Sequence, residues 1–222
     1  MSHIKIISTS DGSHSLLNTS LNETYHSVHG AIQESKHVFI QNGLDFWISR
    51  NPAKEPRILE IGFGTGLNVL LTLLHGQSSQ QKIYYESWEM YPLDQSVVRE
   101  LNYGLLLEAG ENFSEIHNAL WNSTVALSPH FTLHKHLGSI LIDSLTGPFD
   151  LVYYDAFAPS KQAEMWTIEA LKKITNSIAP GGVWVTYCAK GQLKRDLKAL
   201  GLNVETLPGP PGKKEMVRAT AP

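Results

Sequence analysis

Short apolar runs alternate with segments of helical periodicity along most of the chain. Apolar runs bounded by turn residues are typical of buried strands, and apolar positions spaced three and four residues apart are typical of amphipathic helices. The pattern predicts strands at residues 57–62, 82–90, 131–137, 149–157, 183–189, 203–207 and 215–220. It predicts helices at residues 67–75, 93–107, 162–178 and 191–200.

Repeated strand–helix–strand order predicts the fold class. Such repetition implies parallel strands joined by right-handed crossovers, and hence an α/β three-layer sandwich. Only residues 208–214 separate the last two strands, which is too short for a parallel crossover, so we expect an antiparallel hairpin there. The expected fold is therefore Rossmann-like, with a mostly parallel sheet that ends in an antiparallel hairpin.

The first 50 residues follow a different pattern. Asp11-Gly12 separates two short apolar segments, residues 5–7 and 16–18, which predicts a β-hairpin. Residues 35–48 are amphipathic and favour a helix. We therefore expect an N-terminal appendage (residues 1–50, hairpin plus helix) in front of one Rossmann-like domain (residues 51–222).

Composition and charge narrow the class of protein. The 222 residues include one cysteine, Cys188, and the net charge is −3, which favours a reducing compartment and argues against a general nucleic-acid coat. No apolar stretch approaches the ~18 residues of a membrane span, so we expect a cytoplasmic protein without a membrane partner. From Lys190 onward there are seven Lys or Arg against three acidic residues, which suits a selective contact with a polyanion.

A glycine-rich turn follows the first predicted strand of the domain. Gly62, Gly64 and Gly66 come after Glu60, and the third glycine stands four places after the first. The dinucleotide-binding fingerprint needs five places. An acidic residue two positions before G-x-G-x-G is instead the S-adenosylmethionine pattern, so we expect these four residues to bind that cofactor.

Two further positions are expected to complete the cofactor site. Glu89 ends the second strand of the domain, where its carboxylate can accept hydrogen bonds from ribose hydroxyls; alternatively, Glu89 or Glu86 merely caps the strand end. The adenine position after the third strand carries no acidic residue. Ser139 is the expected contact there, and Asp143, one helical turn on, is the alternative.

Asp155, Phe157 and Pro159 follow the fourth strand, facing the expected cofactor crevice. An aspartate, a proline and an aromatic residue at this place are typical of methyltransferases that act on amino groups of bases. Asp155 can accept the proton of an amine and orient its lone pair, and it can also contact the cofactor. Phe157 either stacks on a base or fills the core.

Basic residues near the C-terminus are candidates for contacts with RNA phosphates. The alternative is that the PGPPG segment, residues 208–212, is only a rigid hairpin loop. The five candidates are Lys190, Lys194, Arg195, Lys213 and Lys214.

The histidine pairs His26/His29 and His134/His136 lack carboxylate or Cys neighbours at ligand spacing, so no metal site is expected. Cys188 has apolar neighbours and is interpreted as a packed core residue rather than a nucleophile.

Several segments together resemble one family. They are ESKHVFI (34–40), EIGFGTGLN (60–68), ESWEMYPL (86–93), DAFAP (155–159), MWT (165–167), AKG (189–191) and GKKEM (212–216). The chain resembles the methyltransferase domain of MnmC-type tRNA modification enzymes, which complete 5-methylaminomethyl-2-thiouridine at the wobble position. The likeness covers residues 25–219.

The resemblance implies a class I S-adenosylmethionine methyltransferase that methylates the primary amine of 5-aminomethyl-(2-thio)uridine in tRNA. It implies that Gly62, Gly64, Gly66 and Glu89 bind the cofactor and that Asp155 serves the amine. Bifunctional members of the family carry an FAD-dependent oxidase domain. We expect no FAD here, and we expect other enzymes to supply the aminomethyl substrate.

Two alternatives stay open. An aminopropyltransferase shares the fold and an acidic residue after the fourth strand, and Asp155 suits that reaction too. The chain can also be a non-catalytic module that binds a cofactor or RNA. The spacing of the glycines disfavours a nicotinamide oxidoreductase.

Overall fold

The computed structural model describes residues 3–222 and leaves out residues 1 and 2, the start of the expected appendage. The strands are β1 (Ile4–Ser8), β2 (His14–Asn18), β3 (Glu23–Thr24), β4 (Arg57–Ile61), β5 (Ile83–Glu89), β6 (Ser123–Ser128), β7 (Phe131–Leu137), β8 (Phe149–Tyr154), β9 (Ile178–Thr186), β10 (Asn203–Pro208) and β11 (Glu215–Thr220). The α-helices are α1 (Ala31–Ser35), α2 (Phe46–Arg50), α3 (Leu67–Ser79), α4 (Gln95–Val98), α5 (Tyr103–Leu106), α6 (Gly110–Asn118), α7 (Ile168–Thr175) and α8 (Gly191–Ala199). A π-helical stretch (Lys36–Asp45) joins α1 to α2, and a 3₁₀ turn (Ala163–Trp166) precedes α7.

The principal sheet of the described residues has the strand order β10-β11-β9-β8-β4-β5-β7-β6. Neighbours from β9 to β7 are parallel. At one edge β11 is antiparallel to both β9 and β10, and at the other β6 is antiparallel to β7. The predicted parallel sheet with a terminal antiparallel hairpin is confirmed, with the last strand inserted between β9 and β10.

Hydrophobic cores lie on both faces of this sheet. Along β8, Leu151 and Tyr153 belong to one cluster, whereas Val152 and Tyr154 belong to the other. This division follows the alternation of side chains along a strand. Helix α3 packs on the first face, and helices α7 and α8 pack on the second. The predicted three-layer sandwich is therefore confirmed.

The N-terminal hairpin is also confirmed. β1 pairs antiparallel with β2, with Lys5 opposite Leu17, and β3 adds a third strand. Leu16 of this small sheet and Trp47 of α2 lie in the same buried cluster as α3 and one face of the principal sheet. The division of the chain after residue 50 stays a prediction.

The single helix predicted at residues 93–107 is wrong. Asp94 caps a short α4 by accepting a hydrogen bond from the Ser96 amide (2.7 Å). The chain then turns at Asn102, whose side chain accepts from the His14 amide (2.8 Å) and donates to the Gly12 carbonyl (2.9 Å). Binding to the N-terminal hairpin thus separates α4 from α5, which periodicity alone does not reveal.

Other predicted bounds also need correction. The helix predicted at residues 162–178 is a 3₁₀ turn followed by α7, whose first turn is capped by Thr167 Oγ1 accepting from the Ala170 amide (3.2 Å). Ile178 begins β9 instead of ending the helix, and β9 ends at Thr186 rather than at residue 189. β6 and α6 were not predicted.

Candidate active site

A cavity of about 880 Å³ opens at the carboxyl ends of the parallel strands. This volume is within the ~300–1,000 Å³ that is usual for ligand pockets. The walls come from the loops after β4, β5, β7 and β8, from residues 23–29 and from the hairpin loop between β10 and β11. Open α/β sheets bind ligands at this edge, so we take the cavity as the candidate active site.

The glycine-rich turn forms the floor of the cavity between β4 and α3. Gly62 and Gly66 have φ values of 93° and 72°, which side chains rarely tolerate. A Cβ atom at Gly62 would also lie 2.9 Å from the Asp155 carbonyl oxygen. Glycine therefore allows this turn to approach the loop after β8. Gly62 and Gly64 line the cavity, whereas Gly66 caps α3 behind it.

Two buried histidines hold the glycine turn in place. The Thr65 carbonyl lies 3.1 Å from His117 Nε2, and the Thr65 hydroxyl lies 2.7 Å from His26 Nε2. Burial lowers the pKa of each histidine to about 4, so both are neutral at pH 7. Sequence reasoning missed this role because the two histidines are 91 positions apart in the sequence and belong to no local motif.

Glu89 lies where predicted, at the end of β5 and on the wall of the cavity. Its Oε2 accepts from the Gly64 amide (3.1 Å), and its Oε1 accepts from the Tyr91 amide (2.8 Å). A carboxylate has about four acceptor positions. The two backbone bonds thus orient Glu89 and leave capacity for the two hydroxyls of a ribose.

The wall after β7 contains Ser139 together with the apolar side chains of Ile140 and Leu141. Trp88 of β5 continues this wall. Asp143, the alternative adenine contact, does not line the cavity but accepts from the Ser139 amide (3.0 Å). An apolar wall with one hydroxyl suits a flat heterocycle such as adenine, and it favours Ser139 over Asp143.

Asp155 lies directly after β8, on the cavity wall. Asn68 Nδ2 donates to Asp155 Oδ2 (2.9 Å) and fixes the carboxyl group. Burial and, to a smaller extent, the negative charge of Glu34 raise the pKa of Asp155 to about 7, although the Asn68 bond and Lys213 oppose the shift. A carboxyl group with a pKa near neutrality is well matched to accept a proton at physiological pH.

Phe157 also faces the cavity. Its ring meets that of Tyr25 edge to face, with ring centroids 4.9 Å apart. Its backbone is held by the Gln162 side chain (3.1 Å to the Phe157 amide) and by the Trp166 indole (2.8 Å to the Phe157 carbonyl). Pro159 is partly buried beyond this turn and does not line the cavity. The structure thus favours a stacking surface at Phe157 over a core role.

Glu60 lies outside the cavity, contrary to expectation. Its side chain is 0% exposed and sits in β4 opposite Ser87 of β5, whose hydroxyl donates to Glu60 Oε2 (2.5 Å). Burial, together with the charge of Asp155, raises the pKa of Glu60 to about 8 despite the opposing hydrogen bond from Ser87. Glu60 therefore supports the site from beneath and cannot touch a ligand in the cavity.

The predicted basic residues occur in two settings, in ion pairs and on the exposed surface. Lys213 lines the cavity and binds Glu34, with Nζ 2.5 Å from Oε1. Lys194 binds Glu215 (2.8 Å), while the remaining side chains are exposed on the surface. The exposed members are Lys190, Arg195 and Lys214.

The paired histidines of β7 form a stack, with the rings of His134 and His136 4.0 Å apart. His136 Nε2 also lies 2.9 Å from Glu86 Oε2. The other oxygen of Glu86 forms an ion pair with the Arg57 guanidinium (2.6 Å). Within residues 3–222, no group of three or more His, Cys, Asp or Glu side chains could hold a metal ion. In the same range, no helix has the length and apolarity needed to cross a membrane.

Comparison with known proteins identifies a family model and curated proteins that this chain is similar to. A family described as S-adenosyl-L-methionine-dependent methyltransferase matches residues 115–222. Two curated relatives are named tRNA 5-methylaminomethyl-2-thiouridine biosynthesis bifunctional protein MnmC. The protein of Cupriavidus necator is 29% identical over 214 residues, and that of Pseudomonas savastanoi pv. phaseolicola is 30% identical over 215 residues. Each match covers 89% of this chain, and the chain spans about one third (32%) of each relative.

Two solved structures are similar to this chain over nearly its whole length. The crystal structure of MnmC2 from Aquifex aeolicus has a TM-score of 0.79 and 26% identity, and the match covers 100% of this chain and 72% of that one. Spermidine synthase from Thermotoga maritima has a TM-score of 0.61 at 14% identity, covering 98% and 68%, and at that identity it shows the fold alone. The predicted class I methyltransferase fold and the resemblance to MnmC-type enzymes are both confirmed.

Proposed function

We propose that the chain is an S-adenosyl-L-methionine-dependent methyltransferase that methylates the primary amine of 5-aminomethyl-(2-thio)uridine at the wobble position of tRNA. The observation that carries this proposal is the Asp155 carboxyl group, held by Asn68 on the wall of the cavity beside the glycine turn. The names of the relatives support tRNA as the substrate.

We assign the cofactor to the half of the cavity between the glycine turn and β7. Gly62 and Gly64 line it, Gly66 starts α3 beneath it, and Glu89 and Ser139 offer partners for the ribose and the adenine. The N-terminal end of α3 favours a carboxylate such as that of the methionine portion. When bound, S-adenosylmethionine supplies an electrophilic methyl group on its sulfonium sulfur.

Asp155 acts on the substrate amine. An ammonium has no lone pair, and an alkylamine with a pKa near ~10 is neutral only about once in a thousand at pH 7, a cost of roughly 4 kcal/mol. Partial desolvation of the amine in the cavity reduces that cost, because desolvation disfavours the ammonium. As the N–C bond forms and the S–C bond breaks, the nitrogen becomes more acidic and its proton passes to Asp155.

Positioning of the substrate amine is a second contribution to the rate of methyl transfer. Asn68 donates to Asp155 Oδ2 and leaves Oδ1 to face the amine. Fixing the amine in line with the methyl group can supply ~7–11 kcal/mol of the barrier lowering. Phe157 and Tyr25, which contact each other on the cavity wall, are proposed to hold the uracil ring by stacking.

The wider contacts are also proposals. Exposed Lys190, Arg195 and Lys214 can bind tRNA phosphates, and Lys194 can join them if its pair with Glu215 opens. A preceding activity must install the aminomethyl group, so we propose the enzymes that do so as partners in sequence, in the cytoplasm.

An aminopropyltransferase is the second candidate, because spermidine synthase shares the fold. The two functions differ in their nucleophile, a modified base in RNA against a free polyamine. At 14% identity the likeness carries no argument about activity, and the MnmC relatives favour RNA.

The test supplies labelled S-adenosylmethionine together with tRNA that lacks only the final wobble methyl group. In parallel, decarboxylated S-adenosylmethionine is supplied with putrescine. The proposal expects label in 5-methylaminomethyl-(2-thio)uridine after nuclease digestion and mass analysis, with no spermidine formed. Spermidine formation would instead identify an aminopropyltransferase, and binding of the cofactor without either product would contradict catalysis.

A further inference from the structure

Lys213 and Glu34 form an ion pair on the wall of the cavity that the proposed chemistry does not use. Lys213 Nζ lies 2.5 Å from Glu34 Oε1, and the Glu34 side chain is only 6% exposed. Both residues line the same cavity as Asp155. The Lys213 side chain is 32% exposed, and a partly exposed ion pair contributes little net stability, because desolvation and screening offset the attraction of its charges. Its position therefore calls for another explanation.

Two further contacts hold the pair in place, one on each residue. Glu34 Oε2 accepts from the Ser27 amide (2.7 Å). The ammonium of Lys213 lies 3.9 Å above the ring of Tyr187, and the Tyr187 hydroxyl donates to the Ala156 carbonyl (2.9 Å), next to Asp155. Through Tyr187 and Ala156, Lys213 is thus connected to the loop after β8 that carries Asp155.

The pair retains capacity for hydrogen bonds. A lysine ammonium has three N–H donors, and each carboxylate oxygen can accept two bonds. Glu34 uses one donor of Lys213, and the contacts above use one acceptor position on each oxygen of Glu34. Lys213 thus has free donors, and Glu34 has free acceptor positions, side by side on the wall beside Asp155.

We propose that Lys213 and Glu34 read the N3–O4 edge of the uracil ring, with Lys213 donating to O4 and Glu34 accepting from N3–H. This inference rests on the proposed function. The aminomethyl group is attached to C5, next to the C4 carbonyl, so an amine at Asp155 brings O4 and N3 to the neighbouring wall. An adjacent donor and acceptor match that edge, and a buried polar site built for such a match rejects bases that lack it.

Cytosine presents the reverse pattern, an amino donor at C4 and an acceptor at N3. In cytosine, the C4 amino group would therefore face the Lys213 ammonium, donor against donor, and N3 would face the Glu34 carboxylate, acceptor against acceptor. A well-formed two-point contact is expected to discriminate by about 10- to 100-fold between the right and the wrong base. The pair would thereby restrict methylation to aminomethylated uracil.

The experiment compares anticodon stem-loop RNAs that carry 5-aminomethyluridine, 5-aminomethylcytidine or N3-methyl-5-aminomethyluridine at the wobble position. For the wild type, kcat/KM should be at least about 10-fold higher with the first RNA than with either of the others. In Glu34→Gln and Lys213→Met the preference for uracil over cytosine should fall to within about threefold of unity. Glu169→Gln and Lys172→Met, in exposed side chains of α7, should keep it.

The outcomes separate the two proposals. Equal use of all three RNAs by the wild type would overturn the edge-reading role and leave the proposed methylation intact. Equal loss of activity on uracil and cytosine substrates in both variants would also overturn it, because a merely structural pair has no base preference. If a variant does not fold, the N3-methylated RNA still tests the proposal, because it removes the N3–H group from the substrate and is assayed with the wild type. Failure to methylate any of the RNAs would overturn the proposed function and this inference together.

Discussion

Replacing Glu60 by glutamine should stabilise the protein relative to the wild type by an amount that grows as pH rises above about 4.5. The Glu60 carboxyl is 0% exposed, accepts one bond from Ser87 and lies near a second carboxyl group, that of Asp155. Burial raises its pKa from 4.5 to about 8. At pH 6 the native protein therefore keeps a proton on Glu60, whereas the unfolded chain has lost it.

The sign and the size follow from this shift. Since the native state binds the extra proton, the free energy of unfolding falls as pH rises from about 4.5 to about 8. At ~1.4 kcal/mol per pH unit, the shift sets an upper bound of roughly 5 kcal/mol. Relaxation around a buried charge reduces the cost, so we expect about 2–4 kcal/mol. Glutamine keeps the acceptor for Ser87 and cannot ionise.

The assay is urea denaturation of the wild type and Glu60→Gln at pH 6 and pH 9, with Glu169→Gln as the exposed control. The stability difference between Glu60→Gln and the wild type should be about 1–2.5 kcal/mol larger at pH 9 than at pH 6, because about two pH units of the shift lie above pH 6. The control should follow the wild type at both values. A difference that does not change with pH would refute the reasoning, because it would show that Glu60 is already ionised in the native state at pH 6.

Three further predictions follow from the site and the core. Asn68→Ala removes the bond that lowers the pKa of Asp155, so the acid limb of the kcat–pH profile should move up by about one unit, and an unmoved limb would contradict the contact. Glu89→Ala should weaken cofactor binding about 10- to 100-fold by calorimetry, and unchanged affinity would place the ribose elsewhere. Leu197→Ala, at a 0% exposed position between α8 and α7, should lower the free energy of unfolding by about 2–5 kcal/mol in urea, with cofactor affinity unchanged at 25 °C. A loss below ~1 kcal/mol would contradict the tight packing at that face.

The regular part of the fold was predictable because its signals are local. The runs that become β4 and β8 are mostly apolar and almost entirely buried, as is typical of central strands covered on both faces, and β7 alternates apolar and polar positions. The break between α4 and α5 depends on Asn102 binding a hairpin about 90 residues earlier, and no local pattern encodes it. β6 was missed because its short run is half-buried and lies at the edge of the sheet.

The candidate site was predictable for the same reason. Asp155 and Glu89 end strands, and strand ends meet at one edge of a parallel sheet. Glu60 stands in the same motif as the glycines, but strand alternation turns its side chain away from the cavity and toward Ser87. The pairing of Lys213 with Glu34 joins residues 179 positions apart, so the sequence showed a basic loop and gave no sign of its partner.

The most direct test of the account is the pH dependence of methyl transfer to tRNA that carries the unmethylated wobble amine, in the wild type and in Asp155→Asn. If Asp155 accepts the amine proton, wild-type kcat should decline as pH falls below about 7, where the carboxyl group becomes protonated. Asp155→Asn should lose about 10²- to 10⁴-fold in kcat and still bind S-adenosylmethionine. A variant that retains more than about half of the wild-type rate, or a wild-type rate that does not change with pH across this range, would contradict the central role of Asp155.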